Sequence, residues 1–211
     1  MKSLSEALLL NRAELIRKES VALKAEISKL QSCDFKPQFA PFRYLIDTLA
    51  KRVDPMAAPV ALDAQIAQIE WLANHGHYPA AASLAREWLV SLRVASSGGE
   101  VFPVSSEQRE VAEKWFNTQA RTKNNANDME TSRSDSLMLV AQDHFEDLTG
   151  DIAKWQHVID FWRNLGDMRN DLMHFGMREH PRKPNTIQDF IKGMAAKLRD
   201  LRTGISTEGV Q

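Results

Sequence analysis

Each thing this sequence has little of removes a class of protein. A single cysteine, Cys33, leaves no internal disulfide to staple the chain, and a reducing, cytoplasmic setting is the expectation. No apolar run approaches the roughly 18 residues of a membrane span. The amino terminus also lacks the apolar core of a signal peptide, so no membrane partner is expected. The net charge is only −1 at pH 7, which excludes a wholly basic nucleic-acid coat and confines any RNA contact to a local patch. No alternation of strand and helix patterns runs through the chain. Tyr78 and Ala81 stand as they would in one tetratricopeptide unit, but no second copy follows at the 34-residue period. His75 and His77 flank Gly76 with no Cys or acidic neighbour, and clustered carboxylates are missing, so neither a metal nor a cofactor is expected.

What the chain does have is helical periodicity. With 211 residues, 43% hydrophobic and 26% charged, it is long enough for one well-buried domain and an appendage. Ile16, Leu23, Ile27 and Leu30 recur at helical spacing and predict one long helix over 4–31, charge-laced and too thinly apolar to stand alone. Pro37 and Pro41 precede a helix marked by Phe42, Leu45, Ile46, Leu49 and Val53, which Asp54-Pro55 ends before a linker to Pro59. Leu62, Ile66, Ile69 and Ala73 line the next helix. Pro79, at a first-turn position, opens another with the stripe Ala81, Ala85, Trp88 and Leu92. After a loop through Gly98-Gly99, Ser105 and Gln108 form a capping box for a helix to about Asn117.

Residues 118–135 are polar and aperiodic and predict a surface loop, either a tolerated insertion or an RNA contact through Arg121, Lys123 and Arg133. Helical patterns resume with Leu137, Val140, Ala141, Phe145 and Leu148, then with Ile152, Trp155, Ile159 and Trp162. His144 and His157 lie within them as structural residues. A last helix carries Ile187, Phe190, Ile191, Met194, Leu198 and Leu201 and stops near Gly204. The expected fold is therefore all-α: a helical extension and linker over 1–58, a helical domain over 59–204 and a frayed tail over 205–211.

Chemistry concentrates in Arg169-Asn170-Asp171-Leu172-Met173-His174. Gly166 interrupts the preceding pattern and Asp167 is a good N-cap, which predicts a helix whose first turn holds Arg169 and Asn170 and favours a phosphate. With Leu172 set at 0°, Met168 and Phe175 fall at about −40° and −60°, and Asn170 and His174 at about 160° and 200°. Arg169, Met173 and Met177 fall at about 60°, 100° and 140°. The polar trio then points away from its own core, beside two methionines, as it would in a site completed by a second subunit. A planar, permanently charged guanidinium suits phosphoryl oxygens, and an imidazole suits proton transfer near neutral pH. The loop that follows carries Arg178, His180, Arg182 and Lys183, and 163–202 holds nine Lys/Arg against five Asp/Glu. Arg178, Arg182 and Lys183 are its candidate RNA contacts. The plainer reading is that Arg169 pairs with Asp171, Asp167 or another carboxylate and that His174 caps an interface.

Arg169-Asn170-x-x-x-His174 resembles the signature of the HEPN superfamily (higher eukaryotes and prokaryotes nucleotide-binding), many of whose members are metal-independent ribonucleases acting as dimers. A second stretch, Trp71-Leu72-Ala73-Asn74-His75-Gly76-His77-Tyr78-Pro79-Ala80-Ala81 followed by Leu84-Ala85-Arg86-Glu87-Trp88-Leu89, resembles the paired helices that open this domain in CRISPR-associated CARF–HEPN proteins. The resemblance covers roughly residues 40–202. It implies a HEPN-like helical bundle, a homodimer and single-stranded RNA as substrate. Arg169, Asn170 and His174 would be catalytic, and Arg86 and Glu87 would be candidates to approach them. Such proteins usually begin with a Rossmann-like sensor for cyclic oligoadenylate, and no pattern here supplies one, so the sensor would be missing or separate. Three functions stay open at this point: an endoribonuclease of antiviral defence, a non-catalytic nucleotide- or RNA-binding module, and a helical adaptor.

Overall fold

A computed structural model describes residues 2–102, 104–125, 152–174, 176–177 and 179–205. Among these residues there are eight α-helices, two 3-10 turns and no strand, so the chain is all-α as expected. The helices are α1 (Lys2–Leu9), α2 (Ala13–Gln31), α3 (Ala40–Val53), α4 (Ala61–Asn74), α5 (Tyr78–Ser96), α6 (Ser106–Asn125), α7 (Ile152–Met173) and α8 (Pro184–Gly204). The described residues fall into two compact units, one of 2–88 with 183–195 and the other of 89–182 with 196–205. The dividing point lies within α5.

In the first unit the single helix expected over 4–31 is broken. Asn11 adopts φ +51°, a left-handed conformation that Asn tolerates better than most residues. The break separates α1 from α2, and Ala7 and Ile16 are buried in one cluster with Met56 and Ala67. Ile27 packs with Ala50 and Val53 in a second cluster, which fixes α2 against α3. Gln31 donates to the Asp47 carboxylate at 2.8 Å at the far end of that pair. The linker expected before Pro59 is instead a 3-10 turn, Asp54–Ala57, whose Met56 and Ala57 are buried. Two apolar side chains among the prolines and alanines were enough to tie that stretch down.

The α4–α5 corner follows the sequence pattern closely. Leu62, Ile66, Ile69 and Ala73 are buried on α4, and Ala81, Ala85 and Trp88 on α5. The Trp88 indole N–H donates to the Leu62 carbonyl at 3.0 Å, which satisfies its one polar atom in the core. Gly76 supplies the positive φ (+78°) that lets the His77 N–H reach back to the Leu72 carbonyl and end α4. His75 and His77 stack on Trp71, at 4.2 and 5.8 Å between ring centroids.

The second unit is held by aromatic side chains. Ser105 accepts the Gln108 N–H at 3.2 Å and starts α6. That helix continues to Asn125, past the loop expected from residue 118. Gln119, Ala120, Arg121 and Lys123 are good helix formers, and extending an existing helix needs no new nucleus. Arg121 is exposed on it and Lys123 lies within it; Arg133 and the pattern from Leu137 to Leu148, with His144, lie outside the described residues. The α7 helix begins at Ile152 and buries Trp155, Ile159 and Trp162, with His157 exposed.

Candidate functional site

The end of α7 differs from the sequence expectation in one respect that alters its electrostatics. The helix runs unbroken through Gly166 to Met173, so Asp167 caps nothing, and Arg169 and Asn170 stand near the helix's last turn instead of its first. A mid-helix glycine costs only about 1 kcal/mol relative to alanine, and burial of Trp162, Leu165 and Met168 carries the helix across it. The terminus beside Arg169 therefore presents carbonyl groups, and the helix-start argument for a phosphate does not apply.

Around this end the burial alternates sharply. Met168 is buried and Leu172 half-buried, Arg169 is half-buried, and Asn170 and His174 are exposed. Met173 is 50% exposed. The outward placement expected for Asn170, His174 and Met173 agrees with this. Arg169 and His174 project about 140° apart around the helix, so one copy of α7 offers them to different sides. The His174 N–H still makes the helical bond to the Asn170 carbonyl at 3.0 Å, and past His174 the projection no longer holds. Gly176 takes φ +68°, its N–H bonds the Asp171 carbonyl at 3.2 Å, and the Met177 N–H bonds the His174 carbonyl at 2.9 Å. Met177, 87% exposed, therefore belongs to the turn and not to the helix face.

Asp171 is the residue that the sequence reading undervalued. It is only 2% exposed, and its Oδ2 accepts the backbone N–H of Arg182 at 3.2 Å. The Arg182 guanidinium lies 3.9 Å from the Asp167 carboxylate. Arg182 thus engages both acids, Asp171 through its backbone N–H and Asp167 through its guanidinium. Asp171 ties the following loop back onto α7, and a recess of about 420 Å³ opens there, lined by Asp167, Asp171, Glu179, His180 and Arg182. Three of the five acids counted between 163 and 202 line this one recess. Among the described residues the lining of this recess is therefore acidic, where the residue count alone suggested a basic stretch. The spacing Asp167–Asp171 was the available signal, since residues four apart share a helix face.

The remaining expected residues divide as follows. Arg182 is exposed at the recess, Lys183 is exposed but belongs to the first unit, and Arg178 lies outside the described residues. Arg86 and Glu87 are half-buried on α5 in the first unit, each engaged with a neighbour. Among the described residues no group of three His, Cys, Asp or Glu side chains is placed to hold a metal ion, and no helix is long and apolar enough to cross a membrane.

The second unit holds one further charged residue that periodicity did not mark. Arg93 is buried, with its guanidinium 4.4 Å from the Trp115 ring centroid and 5.0 Å from that of Trp155. Burial lowers its pKa from the ordinary arginine value. Stacking on indole faces is a role for which the planar guanidinium is suited. Comparison with protein-family models, with curated proteins and with solved structures finds no match to this chain.

Proposed function

We propose that this chain is a metal-independent endoribonuclease of the HEPN type, cleaving single-stranded RNA at a composite site made by two copies, in CRISPR-type antiviral defence. The observation that carries the reading is the exposure of Asn170 and His174 one turn apart at the C-terminal end of α7, with Arg169 half-buried on the same turn. In this mechanism the ribose 2′-hydroxyl attacks the adjacent phosphorus, His174 takes its proton, and the bond to the 5′-oxygen breaks. Arg169 stabilises charge on the phosphoryl oxygens, and Asn170 orients the imidazole or a phosphate oxygen. Because one α7 sends Arg169 and His174 to different sides, a two-fold pair of helices supplies what a single helix does not. The exposed Met173 and Met177 would line the seam. A cyclic-oligoadenylate sensor, where one operates, would sit on a separate chain or domain.

The test is incubation of the purified chain with labelled single-stranded RNA in the presence of a chelator. Fragments ending in 2′,3′-cyclic phosphate and 5′-hydroxyl are expected. DNA, lacking the 2′-hydroxyl, should be spared. His174→Ala should lower cleavage by about two to four orders of magnitude while changing stability by no more than about 1 kcal/mol. Equal cleavage of DNA, dependence on a divalent ion, or full turnover by His174→Ala would each overturn the proposal.

A further inference from the structure

The hairpin of α2 and α3 leaves one end of its seam uncovered. Ile27 packs against Ala50 and Val53, and Gln31, the last residue of α2, meets Asp47. At that contact α2 has ended, whereas α3 runs back through Ile46 to Ala40 and the 3-10 turn Pro37–Phe39 before it. On the helix projection Phe42, Ile46, Leu49 and Val53 fall at about 0°, 40°, −20° and 20°, one apolar stripe. Its front end is bare: Val53 is buried, Ile46 and Leu49 are half-buried, and Phe42 is 53% exposed. Phe39, 47% exposed, lies 6.2 Å from Phe42 between ring centroids, with the ring planes tilted by 58°.

Cations stand among these rings with no acid to balance them. Residues 35–45 hold Lys36 and Arg43, four aromatic side chains and no Asp or Glu. Along α2, by contrast, Lys18, Lys24 and Lys29 pair with Glu14, Asp54 and Glu26. Among the described residues neither Lys36 nor Arg43 has an acidic partner. Arg43 is nevertheless held in place: its guanidinium donates to the Cys33 carbonyl at 3.2 Å and lies over the Phe35 ring, 5.9 Å from the centroid. One such bond occupies only a fraction of a guanidinium's donors.

We propose that this tip binds single-stranded nucleic acid, with bases stacked on Phe39 and Phe42 and phosphates held by Lys36 and Arg43. Exposed rings beside cations that lack acidic partners match a polyanion that also carries flat faces. The tilt between the two rings turns their faces in different directions, which suits bases splayed apart. A second copy of the chain matches less well, because a two-fold axis would set Lys36 and Arg43 against their own counterparts with no acid in 35–45 to offset them. A lipid surface would accept the cations, but two half-exposed rings offer it little apolar area to bury. Binding at the tip does not rest on the ribonuclease reading, since neither stacking nor phosphate contact uses the 2′-hydroxyl. Under that reading it supplies a hold on the strand that the acidic recess on α7 does not.

The test is fluorescence anisotropy of the full chain with a labelled single-stranded oligodeoxynucleotide of about twelve bases, a probe that 2′-hydroxyl chemistry leaves intact. Phe39→Ala and Phe42→Ala should each weaken binding by about tenfold, the contribution of one stacked base. Phe42→Leu, which keeps an apolar side chain but loses the flat ring, should weaken it nearly as much. Tyr44→Ser, on the other side of α3 at about 200°, should leave it unchanged. Between about 50 and 200 mM salt, two phosphate contacts cost a single strand about sevenfold in affinity, and Lys36→Gln with Arg43→Gln should remove that share of the salt dependence. All five positions are exposed, so the variants should fold, which circular dichroism checks. Binding without cleavage of RNA in any condition would uphold the inference and sink the ribonuclease. Cleavage of RNA by a chain whose tip variants bind as the wild type does would do the reverse. No binding by the folded chain, or full affinity in Phe42→Leu, would overturn the inference. So would association with anionic vesicles, or self-association in sedimentation, that Phe42→Ala abolishes while oligonucleotide binding is unaffected.

Discussion

The seam between α2 and α4 in the first unit buries polar side chains with unmet atoms, whereas the tryptophan cluster of the second unit buries aromatic rings and one guanidinium, Arg93, stacked on two of them. In the second unit Phe116 stacks on Trp162 at 4.6 Å and 12°, Trp115 meets Trp155 edge-on at 5.5 Å, and the Trp162 indole donates to Asn117 at 3.3 Å. In the first, Ser20, Gln65 and Gln68 are buried. The Gln68 amide donates to the Ala13 carbonyl at 3.0 Å, yet Ser20 Oγ, Gln65 Oε1 and Gln68 Oε1 find no hydrogen-bond partner. The apolar side chains show the reverse distribution. Nine of the twelve exposed large apolar residues among those described lie between Leu9 and Leu45. Polar groups inside and apolar groups outside both weaken a fold, so the N-terminal helices should be the looser part of the molecule and the aromatic cluster the firmer.

The comparison breaks most readily at Phe116, which is fully buried and touches three aromatic neighbours. Phe116→Ala should cost about 3–5 kcal/mol in chemical denaturation, as for large-to-small changes in other cores. A loss below about 1 kcal/mol would place the stability elsewhere. Gln65→Leu sharpens the contrast from the other side. Replacing a buried amide whose oxygen has no partner by a side chain of similar size should leave stability unchanged or raise it by about 1 kcal/mol, and a drop in melting temperature would show that Gln65 is satisfied through solvent. Smallest of all should be Leu45→Ser. Leu45 is 60% exposed, so the change should stay within about 0.5 kcal/mol. A larger loss would mean that the outer face of α3 is covered in solution.

How much was legible depended on whether a residue's neighbours lay on its own helix. The stripe Ala81, Ala85 and Trp88 and the cap at Ser105 came directly from spacing, because one-helix periodicity and a three-residue cap are local properties. The break at Asn11 and the continuation through Gly166 did not. In each case a local preference was set by packing against residues far along the chain: Ile16 beside Met56 and Ala67 in one, and Trp162 stacked on Phe116 in the other. At the candidate site, the exposure of Asn170 and His174 was legible from the helical projection. The tether from Arg182 to Asp171 was not, because a backbone N–H carries no sequence signature and its acceptor lay eleven residues away.

The packing of the indoles divides them optically. Trp88, Trp115, Trp155 and Trp162 are all buried, whereas Trp71 is half-exposed at the α4–α5 corner, stacked on His75 and His77. Indoles shielded from water emit at shorter wavelengths and resist collisional quenchers, and a partly hydrated indole does neither. The red edge of the emission, and the fraction removed by iodide or acrylamide, should therefore follow Trp71 and with it the first unit. The blue edge should follow chiefly the three tryptophans of the second unit. A single unmodified sample thus carries two spectral reporters, and divergence of their melting curves would resolve the order in which the two units come apart.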